Sequence, residues 1–234
     1  MNLMKVTKMT EDKRDIVIPS EFLGDANKFK AGKGTFIENG KIYSEKLGIL
    51  SKQSNYINII PIKGKYDPVQ GDFIIGIVEE PLSSSWLVDI NAPYPALLHV
   101  NEVPWDVDFG ETEKYLNKGD AVLAKILEVS TEKKLQITLK DRNLYKIKGG
   151  YLTYIEPSKV PRLIGKKGSM ISLLKKYSNS RIFIGKNGRI WIDGKDENIA
   201  KIINAINIIE NESISYGLTD KIENLLKENS QVVR

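Results

Sequence analysis

Arg162-Leu163-Ile164-Gly165-Lys166-Lys167-Gly168-Ser169-Met170-Ile171 is the stretch that decides how this chain is read. Two glycines three positions apart form a tight turn between two helical stretches. Pro157–Leu163 suits a short helix before the turn, and Met170, Ile171, Leu173, Leu174 and Tyr177 recur after it at amphipathic helical spacing. Without side chains at Gly165 and Gly168, a sugar-phosphate backbone can approach closely. The following helix offers unbonded N–H groups and the positive end of its dipole. Lys166 and Lys167 add charge at the same point, while Ile164 and Ile171 anchor the turn and floor it with apolar surface. Arg162, Ile164, Gly165, Lys166, Lys167, Gly168 and Ser169 are therefore the candidate binding residues for a polyanion. The plainer reading is an ordinary inter-helix turn, and the surroundings decide between the two.

Those surroundings are specific. Tyr151–Ile155 reads as a strand, and Arg181–Ile184 and Arg189–Ile192 read as two more, joined by the turn Gly185-Lys186-Asn187-Gly188. Ile199, Ile202, Ile203, Ile206 and Ile209 mark a long helix, giving the order βααββα. A last helix follows Gly217, from Leu218 to about Lys227, with Thr219 or Asp220 near its cap. Between Gly150 and Lys195 there are ten basic residues and two acidic ones, a net of +8, although the whole chain of 234 residues carries only +5. The remainder is therefore −3. Charge concentrated in this way points to a polyanionic partner for one module. A GxxG turn between helices, in a βααββα order on a basic module, is the pattern of an RNA-binding KH domain of type I.

Upstream, residues 67–147 hold five strand candidates: Phe73–Glu79, Trp86–Ile90, Ala96–Val100, Ala121–Val129 and Leu135–Lys140. Leu135, Ile137 and Leu139 alternate with polar neighbours, and Val122, Ala124 and Ile126 alternate with Leu123, Lys125 and Leu127. The stretch 101–118 is too polar for a strand and has room for one helical turn. Five short strands with one long connection before the fourth suggest a small closed barrel of the oligonucleotide-binding type. Its candidate ligand residues are Trp86, His99 and, in the tail after the fifth strand, Lys140 and Arg142. Trp86 reads as a base-stacking ring, or else as core packing or a protein contact. His99 reads as a base contact or as a hydrogen-bonded wall residue. Gly149-Gly150 after the barrel is a flexible joint or a hairpin turn.

Residues 1–66 are rich in turn signals around short apolar pieces, among them Ile16-Val17-Ile18, Thr35-Phe36-Ile37 and Tyr56–Ile60. Asn39-Gly40 between Thr35–Glu38 and Lys41–Ser44 signals a two-residue hairpin, and the segment reads as a small β module. The expected architecture is multi-domain β plus α/β, divided as 1–66, 67–147 and 148–234.

Composition removes several chemistries. There is no cysteine, so no disulfide, zinc thiolate or thiol nucleophile, and a single histidine cannot build a multi-histidine metal centre. GxxxxGK[ST] is absent, because Gly32-Lys33-Gly34-Thr35 has the wrong spacing. The acids are scattered, without a histidine-paired or clustered carboxylate set. No catalytic residue, metal or cofactor is expected. Apolar runs reach about five residues, far short of the roughly 20 of a membrane span. Met1 to Glu11 lacks the apolar core of a signal peptide, so a cytoplasmic location is expected.

Longer matches now accumulate. Leu97-Leu98-His99-Val100-Asn101-Glu102-Val103, Gly119–Ile126 and Leu135–Lys140 look like the third, fourth and fifth strands of S1 domains. In that family aromatic and histidine side chains of strands two and three meet nucleotide bases. His99 matches such a position, whereas Leu87, beside Trp86, stands where the strand-two aromatic is usual. A β module, an S1 barrel and a KH domain in that order resemble the S1/KH cap subunit of the archaeal exosome, over about residues 12–215. Asp15-Ile16-Val17-Ile18-Pro19-Ser20-Glu21, Gly32–Phe36 and the GxNG hairpin Gly185–Ile192 carry the likeness, with Ser20 standing where a glycine is usual. The resemblance implies a non-catalytic cap that recruits RNA, favours A-rich 3′ tails and threads the strand through an S1-lined pore to phosphorolytic subunits. It implies three copies on a hexameric ring of RNase-PH-like subunits, with N-terminal modules against the ring, KH domains outside, and mixing with a second S1-containing cap subunit allowed. The competing readings are a free-standing S1/KH factor of RNA processing or translation, and an enzyme. Polynucleotide phosphorylases carry KH and S1 in the reverse order, behind catalytic domains that this sequence lacks.

Overall fold

A computed structural model describes residues 15–130, 132, 134–212 and 217–231. The stretch Met1 to Glu11, read above for a signal peptide, lies outside them. The chain divides into two compact units, one up to Lys63 and one from Gly64 onward.

The first unit contains β1 (Ile16–Val17), β2 (Phe22–Asp25), β3 (Lys30–Ala31), β4 (Thr35–Glu38), β5 (Lys41–Ser44), β6 (Gly48–Gln53) and β7 (Tyr56–Pro61). They form two small sheets, ordered β1-β6-β7-β3 and β2-β5-β4. The Asn39-Gly40 hairpin forms with Glu38 opposite Lys41, and both turn residues take positive φ. Val17, Leu23, Ile42, Ile57 and Ile59 make its core. Ser20 adopts φ 66°, and its N–H donates to the Ser44 carbonyl at 2.7 Å. The left-handed conformation explains why glycine suits that turn, and why serine fills it at some cost.

In the second unit β8 (Phe73–Pro81), β9 (Ser85–Asp89), β10 (Ala96–His99), β11 (Ala121–Val129) and β12 (Leu135–Thr138) form the barrel. The order β12-β10-β9-β8-β11 is closed by pairing of β11 with β12, and β10 runs parallel to β12. This is the expected five-strand barrel, with β13 (Tyr145–Lys146) added beside β11. The 101–118 connection holds two short 3-10 turns, Val100–Glu102 and Thr112–Lys114. One alternation fails. Leu123, expected on the outer face opposite Val122, is buried like its cross-strand partner Ile75. Both belong to the same core cluster as Trp191, which comes from the following domain, so the barrel's outer face is covered there.

That domain comprises β14 (Tyr151–Tyr154), α1 (Val160–Ile164), α2 (Ser169–Ser178), β15 (Arg181–Ile184), β16 (Arg189–Asp193), α3 (Asp196–Asn211) and α4 (Leu218–Gln231). The antiparallel sheet is ordered β14-β16-β15. Its odd and even positions serve two cores. Ile182, Ile190 and Ile192 pack with Leu163, Met170, Leu174, Ile202 and Ile206 of the helices. Phe183 and Trp191 face the barrel instead. Gly149-Gly150 is a turn rather than a loose joint: both glycines have positive φ, and Trp191 Nε1 donates to the Gly149 carbonyl at 2.9 Å.

The barrel and the helical domain are clasped at one buried point. Asn187 is fully buried. Its Nδ2 donates to the carbonyls of Ile75 and Ile90, both at 2.8 Å, and its Oδ1 accepts from the Ile75 N–H at 3.3 Å. Beside it Arg189 donates to the carbonyls of Ile75 and Asp89 and pairs with the Asp89 carboxylate.

Candidate nucleic-acid interface

The glycine turn is built as its sequence requires. α1 ends at Ile164, and Gly165 takes φ 77°, ψ 167°, a conformation open essentially to glycine alone. A Cβ there would stand 2.7 Å from the Met170 nitrogen and 2.8 Å from Ser169 Oγ. The first glycine is thus demanded by how tightly the turn folds onto the start of α2. Gly168 is left-handed, at φ 79°, ψ 16°, yet a Cβ on it would meet nothing nearer than Ile171 Cγ2 at 3.8 Å. The second glycine serves the backbone angle and leaves open space above the turn.

Between them Lys166 and Lys167 are exposed. Lys167 is held at φ 54°, ψ 28°, where a side chain is costly by about 1–2 kcal/mol. Strain of this kind clusters at functional sites. Ser169 is exposed at the first position of α2, Arg162 is half-buried on α1, and Ile164 and Ile171 are half-buried and pack on the domain core. The structure therefore brings all seven predicted residues of this segment to one turn. Two exposed lysines directly precede the N-terminus of a ten-residue helix, and the space above Gly168 is open. Such a patch can accept phosphates.

The barrel residues separate. His99 is half-buried at the end of β10, and its Nδ1 accepts the Asn101 N–H at 3.1 Å. The neutral ring then carries its proton on Nε2, the nitrogen left to donate outward. Trp86 has 0% exposure, and its Nε1 donates to the carbonyls of Thr112 and Leu116 at 3.3 and 3.1 Å. No ring face is left for a base, so the base-stacking reading of Trp86 is corrected to core packing. The outward residue on that strand is Leu87, paired with Leu97, and the surface beside His99 is aliphatic.

Sequence reasoning passed over Phe73 and Lys125. Phe73 is 40% exposed at the start of β8, opposite Lys125 on β11. The Lys125 ammonium lies over the Phe73 ring, 5.5 Å from its centroid, and donates to Asp141 at 2.7 Å. That hydrogen bond, with the Arg142 N–H, holds the Asp141 carboxyl below its ordinary pKa. The available signal was the alternation of β8, which turns Phe73 away from the barrel core.

Known proteins match this arrangement. Residues 14–63 fit the family described as the exosome RNA binding protein RRP4 N-terminal domain, and residues 150–198 fit the KH domain. The exosome complex component Rrp4 of Methanosarcina mazei is 47% identical over 214 residues, covering 92% of this chain and 82% of that protein. The protein of the same name from Picrophilus torridus is 43% identical over 210 residues, covering 90% and 91%. A crystal structure described as an exosome complex RNA-binding protein superposes with TM-score 0.67 at 31% identity, covering 73% of this chain and all of that one.

Proposed function

The chain belongs to the exosome Rrp4 family, and on that premise we propose that it is a non-catalytic cap which captures RNA for a 3′–5′ exoribonuclease ring. The observation that carries this reading is the Gly165–Gly168 turn. It presents two exposed lysines, one of them in a strained conformation, within the Gly150–Lys195 segment of net +8. RNA phosphates settle on the turn and the start of α2, with Ile164 and Ile171 beneath the bases. His99, donating from Nε2, meets the strand on the barrel. The three-module division 1–66, 67–147 and 148–234 then assigns ring contact, guidance and capture, with the second and third modules working as one body through Asn187.

A protein partner for the N-terminal module is supported by its surface. Ile16, Ile18, Phe22, Ile37 and Ile60 are all exposed in a unit of some fifty described residues. Ile16 and Ile60 flank half-buried Ile49 across one sheet, and a contiguous exposed apolar patch of this kind marks a protein contact. We assign that contact to a hexameric ring of RNase-PH-like subunits bearing three such caps, alone or mixed with a second S1-containing subunit. Phosphorolysis happens in the ring; this chain positions the substrate. The preference for A-rich 3′ tails and the cytoplasmic location belong to the same proposal.

Affinity capture of the tagged protein from its native lysate tests the assembly. Recovery of phosphorolytic ring subunits at about two per copy of this chain, or more where a second cap shares the ring, is expected. A protein recovered without ring subunits, alone or with ribosomes, would favour the free-standing factor instead.

A further inference from the structure

The KH cleft does not end in solvent. α2 packs beside β15, and β15 is an edge strand whose outer backbone is unpaired within the sheet. A single strand held at the Gly165–Gly168 turn and lying along β15 reaches the end of that strand at Ile184, and then Gly185-Lys186. There the barrel begins, for the Lys186 N–H donates to the Phe73 carbonyl at 2.9 Å. Phe73 presents 40% of its surface at this seam, with Lys125 over its ring. Lys186 is exposed and makes no side-chain ion pair among the described residues. Beyond Lys125 lies a concavity of about 550 Å³ lined by Gly71, Glu102, Lys125, Thr138, Lys140 and Asp141. An exposed aromatic ring between cationic side chains is the elementary unit of single-strand recognition, a face for a base and charges for its phosphates.

We propose that the seam between Phe73 and Lys186 is a nucleotide subsite, in which Phe73 stacks one base on the ring face that Lys125 does not cover and Lys186 meets the adjacent phosphate, Lys125 staying paired with Asp141. This rests on the reading of the glycine turn as an RNA clamp. A KH turn holds about four nucleotides, so the seam takes a nucleotide beyond them. The strand is thereby handed from cleft to barrel without a gap, which a loose joint between the two domains would not allow. Protein ligands fit the seam less well, since its exposed apolar surface is small, the Phe73 ring with Leu127 in the adjoining concavity, and Lys186 carries an unpaired positive charge among the described residues.

The test compares binding of adenylate tetranucleotide and octanucleotide to the full chain. Phe73→Ala and Phe73→Leu are expected to leave the tetranucleotide unaffected and to weaken the octanucleotide about tenfold, the loss typical of one stacked base. Phe73→Tyr should restore it. Lys186→Ala should lower the octanucleotide's log–log salt slope by about 0.7 and leave the tetranucleotide's slope unchanged. Phe73 variants that match the parent on both lengths, while Lys166→Ala/Lys167→Ala weakens both, would overturn the subsite and leave the clamp standing. If the lysine pair has no effect on either length, the clamp fails and the subsite with it. Equal losses on both lengths, accompanied by a lowered unfolding midpoint, would make Phe73 structural and also overturn the subsite.

Discussion

The Asn187 carboxamide and the Ile75 backbone exchange two hydrogen bonds, Nδ2–H to the carbonyl at 2.8 Å and N–H to Oδ1 at 3.3 Å. The amide stands where a neighbouring strand's peptide group would stand. β9 ends at Asp89, opposite Ile77, and Asn187 satisfies β8 beyond that point. A third bond to the Ile90 carbonyl makes this side chain part of the barrel although it belongs to the helical domain. Asn187→Ala should cost about 3 kcal/mol, because the Ile75 N–H and the Ile90 carbonyl are left buried and unpaired. Urea unfolding of the second unit should then split into separate barrel and KH transitions. A change below about 0.5 kcal/mol with one transition retained would mean the clasp is not held by Asn187.

Trp86→Phe removes the indole N–H that bonds the Thr112 and Leu116 carbonyls. The expected outcome is a loss of about 2 kcal/mol in stability from two buried acceptors left unmet, with RNA affinity unchanged at a temperature where the variant is folded. Lowered affinity at full stability would return Trp86 to the binding surface.

Lys167→Gly separates strain from function. Glycine relieves the left-handed backbone at φ 54°, so unfolding should become harder by up to about 1 kcal/mol. RNA affinity should fall at the same time, because a phosphate contact is lost. Unaltered affinity in the stabilised protein would show that the strain serves no binding.

Tyr66 gives an alkaline signature. Its hydroxyl is buried and donates to Asp72 Oδ2 at 3.0 Å. Burial first, and then the Asp72 charge, push its pKa well above the ordinary phenol value of about 10. The folded state therefore favours the protonated form. This contribution is complete below pH 10 and is lost as pH rises past 10, where the unfolded chain ionises and the folded one resists. In Tyr66→Phe the stability difference from the parent should shrink above pH 10. A difference that stays constant across that window would contradict the assignment.

Much of this was legible in the residues. The helical periodicity around Gly165–Gly168 gave the turn its flanks, and period-two alternation in Leu135–Ile137 and Val122–Ile126 gave the barrel its strands. Alternation failed at Leu123, because its outward side is covered by Trp191, a residue 68 positions away that a local pattern does not contain. Trp86 was ambiguous for a related reason: a strand pattern gives a ring its face, but not the Thr112 and Leu116 carbonyls that hold its N–H. Asn187 read as a turn residue. Its spacing between two glycines carries no mark of the three barrel groups it meets, which come from residues 75 and 90.

The central claim is that the Gly165–Gly168 turn binds RNA through phosphate. The most direct measurement is the salt dependence of single-stranded RNA binding by the parent chain and by Lys166→Ala/Lys167→Ala. Each phosphate contact on a single strand contributes about 0.7 to the slope of log affinity against log salt. The double variant should therefore bind more weakly at low salt, with a slope about 1.4 smaller than the parent's. An affinity and a slope both equal to the parent's would contradict the account.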